Sequence, residues 1–125
     1  MAIDAAGVNL IGFGYQTKED ITTSTLTTDL NDSGKVLNFT HATPTVTLHA
    51  VADGECLTLR VGANPQTLTI SPNANDGIKG ADAAGTDNKD IIFTNQPIGS
   101  YVVLAGGNAD AWVIQAVSGA FTVEA

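Results

Sequence analysis

Two histidines, His41 and His49, one cysteine, Cys56, and thirteen carboxylates hold most of the acid, base, nucleophile and metal-ligand chemistry open to this chain. The histidines are eight positions apart, so they share a face only within one uninterrupted strand, and Pro44 interrupts it. Neither stands beside an acidic cluster. Both read as strand-end residues rather than metal ligands. Ser100 follows Gly99, but no Gly-x-Ser-x-Gly elbow surrounds it and no histidine lies near it in sequence. A hydroxyl–imidazole–carboxylate triad therefore has only one route left, assembly in space. Asp76, Asp82, Asp87 and Asp90 make one long loop acidic, and calcium takes several carboxylate and carbonyl oxygens. The Asp-x-Asp-x-Asp-Gly spacing with a distal Glu is missing, so these read as solvated loop carboxylates.

Weaker signals add nothing catalytic. Gly12-Phe13-Gly14 lacks the third glycine and the helix of a dinucleotide fingerprint. The sequons at Asn31 and Asn38 matter only on secretion. A single cysteine excludes an internal disulfide and a cysteine metal cluster, and Cys56 reads as a half-buried, inert thiol. The expectation is a protein with no catalytic residues, no metal and no cofactor.

The elements that would position such groups are short strands. Alternation is clear in Val46 with Leu48, in Leu57, Leu59 and Val61, and in Leu68 with Ile70; period two means one face in and one out. Ile21–Thr28 is a polar, Thr-rich edge strand, and Asn31–Gly34 is a turn. Lys35–Thr40, Thr45–Ala50, Glu55–Val61 and Thr67–Ser71 follow, separated by Ala42–Pro44, Ala52–Gly54 and Gly62–Pro65. Ser71–Lys89 is irregular, anchored by Ile78, and loops of that length tend to be functional or mobile. Asp90–Thr94, Ser100–Ala105 and Ala111–Val117, joined by short Gly/Asn/Pro/Asp connectors, read as an antiparallel meander. No repeat period emerges. About eight or nine strands at such spacing predict an all-β fold, an antiparallel β-sandwich or jelly-roll-like barrel.

Val36–Phe39 and Ser100–Leu104 carry apolar residues at consecutive positions, which covers both faces through sandwich packing or subunit contact. Trp112 alternates with Ile114 and reads as a packing anchor, with a sugar-stacking platform as the competing role. Residues 1–18 form a separate arm, with 19–125 as the sandwich domain. Its glycines make the start a poor helix, and Val8, Leu10, Ile11, Phe13 and Tyr15 form its apolar surface; a first core strand is the other reading of that stretch.

Composition narrows the function classes. The chain is long enough for one domain with a real core. Charged residues are only 14% against the usual quarter, so Thr, Asn, Ser and Asp must clothe the surface. Net charge is −8, and the five basic residues, Lys18, Lys35, Arg60, Lys79 and Lys89, are scattered. Nucleic-acid binding needs them clustered, so no nucleic-acid partner is expected. No apolar run reaches membrane-spanning length. The start lacks a basic n-region and carries Asp4, which argues against a signal peptide and for a soluble product made in a cytoplasm.

The order of segments resembles small β-rich phage virion proteins, head decoration (cement) proteins in particular. A Thr-rich start leads into Asp32–Val36 (DSGKV), then Thr45–Leu48 (TVTL), the Gly-led strand Gly54–Val61 and Thr67–Ile70 (TLTI). Asp76–Gly80 matches an Asp-x-Ile-x-Gly turn, and Gly99–Leu104, Gly106–Asn108 and Trp112–Ile114 match the closing strand, turn and Trp-Val-Ile strand. The match runs from Thr22 to Thr122; His49 departs from a proline the family often places there. The resemblance implies a bacteriophage virion protein that binds the capsid exterior, with the major capsid protein as partner, often as a homotrimer, made in the host bacterial cytoplasm. It transfers no catalytic residue. The arm residues Val8, Leu10, Ile11, Phe13 and Tyr15 are then the expected interface. A carbohydrate- or receptor-binding module of a tail fibre or spike is the alternative, motivated by Trp112, Tyr101 and the acidic loop.

Overall fold

Almost every period-two stretch becomes a strand, and the chain is all-β. A computed structural model describes residues 17–80, 83–108 and 110–125. The strands are β1 (Lys18–Ile21), β2 (Thr25–Thr27), β3 (Val36–Phe39), β4 (Thr45–Thr47), β5 (Cys56–Val61) and β6 (Thr67–Ser71). Then come β7 (Gly77–Gly80), β8 (Ala83–Ala84), β9 (Ile91–Thr94), β10 (Tyr101–Asn108), β11 (Ala111–Ser118) and β12 (Thr122–Val123). A 3-10 turn, Leu30–Asp32, is capped by Asp29, whose carboxylate accepts from the Asn31 N–H while Asp32 accepts from the Asp29 N–H.

Two sheets pack face to face. One has seven strands in the order β1-β3-β5-β10-β11-β7-β8; the other has five in the order β12-β9-β6-β4-β2. Their inward residues build one core: Leu37, Phe39, Leu57, Leu59, Val102, Leu104 and Trp112 from the first, Val46, Leu68, Ile70, Ile91 and Phe93 from the second. All are at most 1% exposed, and each such side chain contributes roughly 1.5–3 kcal/mol by leaving water.

The sheets are mixed, where the sequence pattern pointed to antiparallel pairing throughout. β1, β3 and β5 lie side by side in parallel, and so do β2, β4 and β6. Each connector from β1 to β6 steps across to the opposite sheet, so the chain winds through three stacked coils. Lys18 sits beside Val36 and Val36 beside Thr58, so successive coils advance 18 and 22 residues. In the other sheet Thr25, Thr45 and Thr69 align at spacings of 20 and 24. Unequal coils leave no fixed period in the sequence, although the stacking is regular.

After the third coil the direction reverses. β9 returns antiparallel to β6, and β10 antiparallel to β5. The expected three-stranded meander is therefore divided: β9 belongs to the five-stranded sheet, and only β10 and β11 form a hairpin. The connector Asn95–Gly99 crosses between sheets instead of folding back. Asn95 and Gly99 both adopt positive φ (50° and 99°) to make that crossing. The expected single strand Ile21–Thr28 is likewise two strands in different sheets.

The boundary placed at residue 18 falls inside the sheet, because Thr17 accepts a bond from the Val36 N–H (2.8 Å) and Lys18 opens β1. Residues 1–16, with Val8, Leu10, Ile11, Phe13 and Tyr15, lie outside the described residues.

Candidate functional site

β5 runs between β3 and β10. Its Leu57, Leu59 and Val61 enter the core, which turns Thr58 and Arg60 to the outer face of the sheet. Register then sets their neighbours: Thr58 lies between Val36 and Val103, and Arg60 between Asn38 and Tyr101. Val103 in turn faces Ala116 of β11. These side chains, with Gly99 at one end, line an open trough of about 700 Å³. Val36, Val103 and Ala116 make its floor aliphatic. Thr58, Arg60 and Tyr101 are its polar groups.

Arg60 is the unusual member. Its Nε is buried and has no hydrogen-bond partner among the described residues, and Asn38 Oδ1 next to it is in the same state. Asn38 is committed on its other side, with Nδ2 donating to Asp20 Oδ1 at 2.9 Å. That bond, with Lys18 Nζ 3.3 Å from the same oxygen, holds the Asp20 carboxyl below the usual carboxylate range. Lys35 is held by Glu19 and Asp32, the first raising its pKa. Arg60 makes no ion pair among the described residues. The described lining contains no carboxylate, imidazole or thiol, so it offers binding contacts and no acid–base pair.

A second cluster lies under the end of β4. His49 Nδ1 is 2.7 Å from Thr28 Oγ1, its Nε2 meets Glu55 Oε1, and its backbone N–H donates to the same Thr28 hydroxyl at 3.0 Å. Its ring packs against Trp112 in a T-shaped pair, with centroids 5.4 Å apart and planes at 78°. In order of contact this is hydroxyl, imidazole, carboxylate. Thr28 is 2% exposed and Glu55 5%, so no substrate reaches the hydroxyl. The cluster works as a clasp that ties the end of the first coil to the connection between β4 and β5.

The remaining sequence candidates stand apart. His41 is half-buried and its Nδ1 accepts from the Thr43 N–H at 3.1 Å. Ser100 Oγ donates to the Pro97 carbonyl at 2.7 Å, inside the connector between the sheets. Asp76 is buried and accepts from the Val51 N–H at 2.9 Å, while Asp87 is exposed. Asp82 lies outside the described residues. Among the described residues no three His, Cys, Asp or Glu side chains converge to hold a metal ion. Among the described residues no helix is long and apolar enough to cross a membrane. Trp112 is fully buried, with Nε1 lacking a partner among the described residues.

In the sequence Arg60 stands out only as one of five scattered bases. The signal that could have found it is its alternation with Leu57, Leu59 and Val61, which assigns it to the outer face. The consecutive apolar residues of β3 and β10 carried the rest, because Val36 and Val103 are the outward members of those runs. A scan against protein-family models and a search of curated proteins returned no match to this chain.

Proposed function

We propose that this chain is a non-enzymatic structural virion protein that binds the outer surface of a phage capsid and stabilises it, in the manner of a decoration or cement protein. The observation that carries the reading is the aliphatic trough on the outer face of the seven-stranded sheet, where Val36, Val103 and Ala116 form an apolar floor with no catalytic pair in its described lining. Burying such a face against a neighbour releases its water. A protein that binds only the assembled shell stabilises that shell by mass action. The major capsid protein is the partner, and the arm residues Val8, Leu10, Ile11, Phe13 and Tyr15 extend the contact. A homotrimer on the virion exterior is the assembly this reading carries.

The test uses heads assembled without decoration. Purified protein should co-sediment with them and raise the temperature at which they release DNA. Protein that stays in the supernatant, or heads whose heat resistance is unchanged, would end this reading.

A carbohydrate- or receptor-binding module of a fibre or spike is the second reading. Tyr101, 36% exposed at the trough's rim, is its best support. Trp112 lends it none, being fully buried. Specific binding on a glycan array, with no binding to heads, would favour it.

A further inference from the structure

Strand register gathers five connectors at one pole of the sandwich. β1, β3, β5 and β11 each end there and cross to the other sheet, and β9 crosses back there to begin β10. The crossings, 22–24, 40–44, 62–66, 95–100 and 119–121, lie side by side, because the two sheets order the strands they join alike. None of them contains Asp, Glu, Lys or Arg. Their one titratable side chain, His41, is half-buried and accepts from the Thr43 N–H. The first charges along the strands leading in from this pole are Asp20 and Arg60, which are opposite in sign. The other pole is the reverse. Asp29, Asp32, Asp53, Asp90, Asp110 and Glu124 gather on it, against Lys35 and Lys89.

The uncharged crossings are laced to one another. The Thr45 N–H donates to the Ser24 carbonyl at 2.9 Å, joining the first to the second. Gln66 Nε2 donates to the His41 carbonyl at 2.7 Å, joining the second to the third. Asn64 Nδ2 donates to the Gln96 carbonyl at 3.0 Å, and the Ala120 N–H donates to Gln96 Oε1 at 2.9 Å, so the third, fourth and fifth follow. Loops fixed in this way lose little further freedom when something docks on them. On this platform stands Ile98, 61% exposed.

We infer that copies of this chain associate through the uncharged pole, with Ile98 in the contact and the carboxylate-rich poles turned outward. A chain of net charge −8 repels its own copies. That repulsion is least where the approaching surfaces carry no charge and the acidic poles stand farthest apart. A basic partner would be drawn to the opposite pole instead, and a neutral partner would meet no repulsion at either. The segregation of charge therefore serves a second copy. At ordinary strand spacing and sheet separation, five crossings cover about 25 Å by about 20 Å with their side chains, roughly 500 Å2 per copy. Two such faces bury about 1,000 Å2, the lower range of specific interfaces, so the association is weak and concentration-dependent. The inference makes no use of the decoration reading and leaves the trough free.

Sedimentation equilibrium of the full-length protein reads the association directly. Between micromolar and millimolar chain the mass should rise to a small multiple of the monomer. Added sodium chloride should strengthen association or leave it unchanged, because it screens the repulsion between copies. Ile98→Asp should weaken association about tenfold or more, since every copy then brings a carboxylate into the contact. Ala120→Asp, in the neighbouring crossing, should act in the same direction and decides the matter if the first variant fails to fold. Leu30→Asp is the control. Leu30 is 66% exposed on the acidic pole, so general stickiness would make its loss as disruptive as that of Ile98, whereas contact through the uncharged pole leaves association within about twofold. A monomer at every concentration, dissociation by salt, equal effects of Leu30→Asp and Ile98→Asp, or no effect of either pole variant would each overturn the inference. Phage heads take no part in this measurement, so it and the decoration reading fail separately.

Discussion

Trp112 and His49 form a T-shaped pair with centroids 5.4 Å apart, and the same imidazole joins Thr28 to Glu55. One aromatic contact thereby connects the hairpin strand β11 to the clasp that holds the coils.

The clasp should behave as a unit. His49→Ala leaves the Glu55 carboxyl and the Thr28 hydroxyl buried without their ring partner, and should cost roughly 2–5 kcal/mol. The double variant with Glu55→Gln should cost less than the sum of the singles, since they share one interaction. Urea midpoints check both; strict additivity would show that the clasp is not coupled.

Trp112 separates volume from hydrogen bonding. Trp112→Ala should lose ~3–5 kcal/mol by cavity formation. Trp112→Phe should lose much less, because Nε1 has no acceptor among the described residues to give up. If thermal unfolding places the two variants together, a hidden partner for Nε1 must exist.

Asp20 gives a signed pH prediction. Asn38, and then Lys18, lower its pKa in the folded chain. A lowered carboxyl contributes stability that is complete above its unfolded pKa, near ~3.9, and is lost as pH falls through the native value. Between about pH 5 and pH 2 the unaltered protein should therefore lose slightly more stability than Asp20→Asn, with exposure keeping the difference small. Denaturant titrations at several pH values measure it, and identical slopes would remove Asp20 from the account.

Much of this architecture is legible in the chain. The alternation of Leu57, Leu59 and Val61 marks an inward face, and Asn31–Gly34 marks a turn. Strand direction is not legible, because a period of two reads the same in parallel and antiparallel pairs. The short breaks after β3 and β5 resemble hairpin turns, yet they carry the chain to the opposite sheet. The clasp was also out of reach. Thr28 and His49 are 21 positions apart, and only the stacking of coils brings them together.

Gly62 is a prediction that arises from that stacking. Its N–H donates to the Phe39 carbonyl, and a Cβ there would lie 2.6 Å from that oxygen and 2.8 Å from Asn38 Nδ2. Gly62→Ala should force β3 and β5 apart at this end and cost about 1–3 kcal/mol. Circular dichroism melting should register the loss, and an unchanged midpoint would mean the strands can separate freely here.

The stacked coils also give the molecule two unlike ends. At one end the outermost strands are β1 and β2, and β1 offers the exposed charges Lys18, Glu19 and Asp20. At the other they are β8 and β12, each only two residues long. A charged rim repels an incoming strand, and a two-residue edge gives it almost nothing to hold. Open coil stacks invite indefinite end-to-end growth into fibres. Among the described residues this one is guarded at both ends against such growth, by charge at one and by brevity at the other.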